Sequence, residues 1–265
     1  MPLFEKSARI AVISSRANSR VKQLRAALSG NPRLSAGLVA IEGDNLLAEA
    51  LRSRLALKTI FVNERRNVPN GVPPTVEVLR LTDDVFASAA GTRSPQGIAA
   101  LAEPPISSIT DALRRTPLIL IAAGLQDPGN LGTLVRSAEA FGATGVLTTP
   151  GTVSVWNQKA LRSSAGSVFR VPVVDASTED VEALKARGVK LLAAVGSGGT
   201  IAQEIDFTGP CALMIGNEGS GLSNEWIELA DAQVTVPCPG PVESLNAAIA
   251  GSLLLYEASR QRSLQ

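Results

Sequence analysis

Three short segments concentrate the side chains whose types and spacing could do chemistry. The first, Gln126-Asp127-Pro128-Gly129-Asn130-Leu131-Gly132-Thr133-Leu134-Val135-Arg136, is a tight turn leading into a helical pattern. The second, Ile215-Gly216-Asn217-Glu218-Gly219-Ser220-Gly221-Leu222-Ser223, carries three glycines that permit positive φ and let a ligand approach the backbone. The third, Val236-Pro237-Cys238-Pro239-Gly240-Pro241-Val242-Glu243-Ser244-Leu245-Asn246, is stiffened by proline and runs directly into the last helical pattern. The chain has no histidine, which removes the usual general base, the Ser/His and Cys/His nucleophile systems and the commonest metal ligand. Any chemistry must run on Arg, Lys, Asp, Glu, Ser or amide groups.

Each residue also has a plain structural reading. Asn130 is placed to cap a helix over 131–141 whose apolar stripe is Leu131, Leu134, Val135, Ala138 and Phe141. Arg136 falls on the opposite face, either as a functional cation or as the partner of Glu139 on an ordinary surface helix. Glu218 sits among glycines with no neighbouring cation, as a solvated turn carboxylate or as an acid with a task. Ser244 reads as a helix N-cap, with Leu245, Ile249, Leu253 and Tyr256 as the buried stripe of that helix. Asn246, in the first turn, has no packing reason to be there. The glycine spacing lacks the GxGxxG turn of a dinucleotide fold, which disfavours a Rossmann-type metabolic enzyme.

These loops need a frame. From residue 118 onward strand signals (118–123, 145–148, 171–174, 190–195, 212–215, 233–236) alternate with helix signals (131–141, 159–164, 179–186, 224–229, 245 to about 260). Such alternation implies a mostly parallel sheet covered on both faces, with ligands beyond the carboxyl ends of its strands. The earlier part predicts a small α/β domain: helix 19–28, strand 38–41, helix 44–53, strand 58–62 and a helix from Leu81 onward. Pro104-Pro105 and the polar stretch 107–111 mark the break, dividing the chain into domains 1–104 and 105–265.

A length of 265 residues allows one large or two modest domains. No apolar run approaches the roughly 20 residues of a membrane span, and the first 20 residues lack the apolar core of a secretory signal, so a soluble cytoplasmic protein is expected. Two cysteines, Cys211 and Cys238, without CxxC spacing argue against a disulfide framework or a zinc site; both read as buried apolar fillers. The net charge of +1 hides an asymmetry: residues 1–104 hold 14 Lys and Arg against 9 Asp and Glu, and the remainder 11 against 15. Seven of those cations (Lys6, Arg9, Arg16, Arg20, Lys22, Arg25, Arg33) stand in the first 33 residues against Glu5 alone. That suits a polyanion-facing surface or, more plainly, a solvated face. With aromatics at 3%, a nucleic acid would be held by phosphate contacts and shape rather than by extensive stacking.

Taken together, the three segments resemble the SpoU (TrmH-like) family of RNA ribose 2′-O-methyltransferases in the SPOUT superfamily. The matching motifs are Asn130 to Arg136 with Ala138-Glu139-Ala140-Phe141-Gly142-Ala143, Ile215 to Gly221, and Val236-Pro237 through Glu243-Ser244-Leu245-Asn246-Ala247-Ala248. The likeness spans 115–262. It continues more weakly through Ile13-Ser14-Ser15 to Lys22, Ile41-Glu42-Gly43 and Pro95-Gln96-Gly97, which look like the family's substrate-binding domain, itself similar to a ribosomal-protein fold. The resemblance implies a C-terminal α/β trefoil-knot domain with a parallel sheet, against the strong prior for unknotted chains. It implies S-adenosylmethionine as cofactor, held by Gly196, Gly216, Val236 and Leu245 with Ile215 and Ser244 nearby, and no metal. The implied catalytic set is Asn130, Arg136, Glu218, Ser244 and Asn246, with Arg136 acting as proton acceptor or as stabiliser of a developing alkoxide. Since a guanidinium gives up its proton so reluctantly, stabilisation is the easier role. Glu218 is either the base or a group that orders its turn.

The implied substrate is ribosomal RNA, most naturally 23S, gripped by Arg16, Arg20, Lys22 and Arg25 of the first domain and by Arg136. Transfer RNA is the alternative substrate, and an inert ribosome-assembly factor the alternative function. The resemblance also implies a homodimer through the knotted domain, with Arg136 serving either its own site or that of the other subunit. Leu253-Leu254-Leu255 gives the last helix more apolar surface than one-sided packing needs. One departure is Cys238, where the family has methionine after the proline, which bears on pocket shape rather than chemistry.

Overall fold

The computed structural model describes residues 12–30, 32–90, 95–242 and 244–264. Lys6 and Arg9 of the basic run, and Glu243 of the third motif, lie outside the described residues. The chain divides into two compact units, Met1–Pro105 and Ile106–Gln265.

The first unit contains β1 (Val12–Ile13), α1 (Ser19–Leu28), α2 (Pro32–Ser35), β2 (Val39–Glu42), α3 (Asp44–Arg52), β3 (Leu57–Asn63), β4 (Glu77–Leu81), α4 (Asp83–Ala90) and β5 (Ile98–Ala102). Its sheet has the order β1-β4-β3-β5-β2, parallel on the β1-β4-β3 side and antiparallel on the β3-β5-β2 side. Val21 and Leu24 of α1 and Val85 and Phe86 of α4 pack with Phe61, Leu81 and Leu101 in one core. The expected helix from Leu81 is corrected: Leu81 closes β4, and the helix begins at Asp83, where Asp83 and Asp84 complement its N-terminal dipole.

The second unit comprises α5 (Ile109–Ala112), β6 (Leu118–Ala122), α6 (Pro128–Ala140), β7 (Gly145–Thr148), α7 (Gln158–Ser164), β8 (Val173–Asp175), α8 (Thr178–Lys185), β9 (Lys190–Ala194), β10 (Thr200–Ile201), β11 (Cys211–Ile215), α9 (Asn224–Leu229), β12 (Ala232–Thr235) and α10 (Ala247–Arg262). Its seven strands run in the order β10-β12-β9-β11-β6-β7-β8, every pair parallel. The central strands Leu-Ile-Leu-Ile-Ala and Cys-Ala-Leu-Met-Ile are buried at every residue, as a sheet covered on both faces requires. Val181, Leu184 and Trp226 of α8 and α9 pack with Ile119, Ile121 and Met214 on one face. On the other, α10 approaches α6 so closely that a Cβ on Gly251 would meet Leu134 and Ile215. Arg262, in the last turn of α10, donates to the carbonyls of Thr116, Pro117, Phe207 and Gly209 at 2.7–3.0 Å, tying that end of the helix to the entrances of β6 and β11.

Helix ends differ from expectation at two places. Asp127, not Asn130, is the N-cap of α6, with its Oδ1 accepting from the Asn130 N–H at 2.9 Å and Pro128 in the first turn. Proline there loses no hydrogen bond, and its fixed φ suits the first turn, so the helix starts earlier than its apolar stripe. Asn246, not Ser244, caps α10, accepting from Ala248 and Ile249 N–H. The stripe proposed for that helix is also overturned: Ile249, Leu253 and Tyr256 are 53%, 42% and 52% exposed, while Ala248, Gly251, Leu254, Leu255 and Ala258 face the core.

Candidate active site

Neighbouring strands β6 and β11 send the chain in opposite directions, β6 onward to β7 and β11 past β9 to β12. A parallel sheet opens a crevice at such a divergence, beyond the carboxyl ends of the strands. The first and second motif loops meet here. Glu218 Oε1 accepts from Asn130 Nδ2 at 3.0 Å and from the Asp127 N–H at 3.2 Å, and its Oε2 accepts from the Gln126 N–H at 3.3 Å. The third loop joins them through Asn246, whose Nδ2 donates to Asn130 Oδ1 at 3.1 Å. Glu218, Asn130 and Asn246 thus form one hydrogen-bonded chain across segments up to 116 residues apart in sequence.

Partial burial pushes the Glu218 carboxyl up, but hydrogen bonds from the Asn130 amide and from backbone N–H groups, those of Asp127 and Gln126 included, outweigh it and leave the group below its ordinary range. Its oxygens are committed to donors, which makes it a weak proton acceptor and a strong tie between loops. Asp127 is likewise held low, first by Lys159, whose Nζ stands 2.7 Å from Oδ2, then by the Asn130 N–H.

Beside this chain lies a cleft of about 300 Å³, within the range of small-ligand sites. Its walls come from the ends of β9, β11 and β12 and the start of α10, and include Gly196, Ile215, Gly216, Val236, Ser244 and Leu245, together with Glu218. Val234, Val236, Leu245 and Leu254 make an apolar wall, and the 216–221 turn presents backbone polar groups. Gly216 is needed for packing rather than freedom: a Cβ there would come within 2.2 Å of the Gly221 backbone. An adenosine, with a flat apolar body and polar edges, fits such walls. Cys238 also lines the cleft, half-buried rather than fully buried, while Cys211 is buried.

Arg136 stands apart from both the chain and the cleft, exposed on α6, and makes no hydrogen bond or ion pair among the described residues. The Arg136–Glu139 pair does not form, because Glu139 is taken by Arg170, which also holds the Glu139 carboxyl low. In the first unit, Arg16 pairs with Asp84 at 2.6 Å, Arg20 with Glu77 at 3.1 Å, and Arg25 donates to the Ser88 carbonyl; Lys22 is exposed.

The sequence reading missed two residues of the site. Asp127 was signalled by the Asp-Pro pair that opens helices. Asn217, whose side-chain amide donates to the Gly124 carbonyl at 3.1 Å, had no local signal, since its partner is 93 residues away.

Residues 117–256 match the SpoU rRNA Methylase family. The chain belongs to that family. Residues 18–100 of this SpoU family member match the MRM3-like substrate binding domain. It is 36% identical to the 23S rRNA (guanosine(2553)-2′-O)-methyltransferase RlmP of Bacillus subtilis, over 92% of this chain and 97% of that protein. It is 33% identical to the 23S rRNA (uridine(2479)-2′-O)-methyltransferase of Streptomyces viridochromogenes, over 94% and 92%. Among solved structures, the SpoU methyltransferase AviRb from Streptomyces viridochromogenes, in complex with the cofactor AdoMet, aligns with a TM-score of 0.82 at 31% identity, covering 93% of this chain and 98% of that one. No helix among the described residues of this SpoU family member is long and apolar enough to cross a membrane.

Proposed function

We propose that this chain transfers a methyl group from S-adenosylmethionine to a ribose 2′-hydroxyl of 23S ribosomal RNA. The observation that carries the reading is a cleft lined by the second and third motif loops, with Glu218 of its wall hydrogen-bonded to Asn130 of the first loop and, through it, to Asn246. The 23S enzymes named above match over both units, which favours ribosomal over transfer RNA as substrate. The intact polar set favours an active enzyme over an inert assembly factor.

The cofactor supplies an electrophilic methyl group for in-line displacement. The chain must hold donor and nucleophile in line and stabilise charge that develops on the ribose oxygen. Gly196, Ile215, Gly216, Val236, Ser244 and Leu245 hold the cofactor in the cleft. Asn130 and Asn246, already fixed by Glu218 and by the α10 cap, position the ribose. Glu218 orders this rim rather than taking the proton, because its carboxyl is already stabilised as the anion. Arg136, a cation without a partner among the described residues, stabilises the developing alkoxide and binds the adjoining phosphate.

The reading extends to a domain division at 104/105, a trefoil knot in the second domain, a cytoplasmic location, RNA contacts from Arg16, Arg20, Lys22 and Arg25, and a homodimer. Exposed Ile249, Leu253 and Tyr256 on α10, with Tyr256 edge-on to Phe141 of the α6 end at 5.7 Å, support an apolar face for pairing. Labelled methyl transfer to large-subunit RNA followed by mapping of ribose methylation tests the function: a new 2′-O-methylated nucleotide is expected, and label on a base, or none, overturns it. Mixing Arg136→Ala chains with Leu245→Asp chains tests a shared site: activity returns in heterodimers if Arg136 serves the partner's cleft, and stays absent if it serves its own.

A further inference from the structure

From the geometry of the glycine turn we infer that Asn217 is a positioning residue for methyl transfer: its side-chain amide sets the cofactor turn against the loop that leads to Asn130. The inference rests on the function proposed above. The 217–221 turn is closed by two backbone hydrogen bonds of 2.9 Å between Asn217 and Gly221. Inside it, Asn217 Oδ1 accepts from Gly219 N–H at 2.9 Å and Ser220 N–H at 3.3 Å. Both ends of the amide are therefore employed, because Nδ2 crosses to the Gly124 carbonyl at 3.1 Å. Gly124 is fixed from its other side too, its N–H donating to Thr152 Oγ1 at 3.0 Å, and it has a φ of +70°.

Two adjacent residues of one turn thus grip the loop after β6 by opposite chemistry. Asn217 donates to a carbonyl at Gly124, and Glu218 accepts from N–H groups at Gln126 and Asp127 and from Asn130 itself. Thr152, Val153 and Lys159 hold the loop from its other side; the Asn217 donor ties it to the cofactor turn itself, two to three residues upstream of the Glu218 contacts. A misplaced Asn130 carries Asn246 with it, so the donor hydrogen bond of Asn217 is felt at the ribose without touching it.

Asn217→Asp isolates the donor. The carboxylate still accepts from Gly219 and Ser220, but it cannot donate to Gly124. An aspartic acid titrates at about 4 in water, and the two backbone N–H bonds hold it in the charged form, so the donor is absent at neutral pH. Single-turnover methyl transfer to 23S RNA at saturating S-adenosylmethionine is compared with wild type at pH 7 to 8. The Asn217→Asp enzyme is slower by about tenfold or more, with the KM for RNA unchanged. Asn217→Ser, which keeps an acceptor but not the reach, shows the same loss. A wild-type rate for Asn217→Asp, or a raised KM for RNA at an unchanged rate in a variant with unchanged melting temperature, overturns the donor role. Should Asn217→Asp fail to fold, a wild-type rate for Asn217→Ser overturns it alone. Inactivity of the wild-type protein on RNA would instead refute the function beneath it.

Discussion

Arg16 and Arg20 of the first unit and Arg136 of the second behave in opposite ways. In the first unit, arginines that face a single acid within their stretch of sequence find counter-charges from far along the chain, Arg16 from Asp84 and Arg20 from Glu77. In the second unit, whose sequence is net acidic, Arg136 has a glutamate three residues away and yet no partner among the described residues, because Arg170 holds that glutamate. A run of like charges in sequence therefore overstates the local field, since folding imports counter-ions. A cation left unpaired among available acids says more, because its charge remains fully available to a ligand.

The sharpest way to break this contrast is Arg136→Ala. Removing one preorganised donor at a reacting oxygen costs roughly two to three powers of ten, so the single-turnover rate should fall by that factor while calorimetry shows unchanged affinity for S-adenosylmethionine. A near-normal rate would return α6 to an ordinary surface helix. Next in size is acid sensitivity. Glu218 has a folded-state carboxyl below its ordinary 4.5, so its ties stabilise the rim fully above that pH and are lost as pH falls through the lower folded value. Cofactor affinity should stay level from pH 7 to about 5 and decline only below 4.5, whereas Glu218→Gln should start weaker and lose that acidic limb.

A smaller effect separates the basic residues of the first unit. Lys22→Ala should weaken RNA binding a few-fold and reduce the slope of log affinity against log salt by about 1, as loss of one phosphate contact does. Arg16→Ala also releases Asp84, and its slope should change less; equal slopes would mean that the ion pair opens on RNA. Smallest of all, Glu139→Gln should leave the rate untouched and shift stability by no more than about 1 kcal/mol, the scale of a half-exposed ion pair.

What could be read in the sequence followed local physics. Ser19–Leu28, Gly145–Thr148 and Asn224–Leu229 lie where periodicity and turn residues put them. The six residues assigned to the cofactor by family resemblance lie around one cleft. Long-range choices were not legible. Nothing local distinguishes Ile249, Leu253 and Tyr256 from the buried side of α10; which face is buried depends on how closely Gly251 lets that helix approach Leu134 and Ile215. β4 and β5 escaped notice because Glu77–Leu81 and Ile98–Ala102 lack clean alternation, and a continuous apolar run such as that of β5 reads equally as helix.

The carbonyl grip of Arg262 gives α10 a mechanical character. The helix is anchored at one end to the entrances of β6 and β11 and at the other, through the Asn246 cap, to the exit side where Asn130 stands. Its 16 residues make a rod of about 24 Å, nearly incompressible along its axis. Such a rod acts as a gauge block across the sheet: the helix length fixes the distance between the Arg262 anchor and the Asn246 cap, so a slip at the Arg262 end would reach Asn130 through that cap.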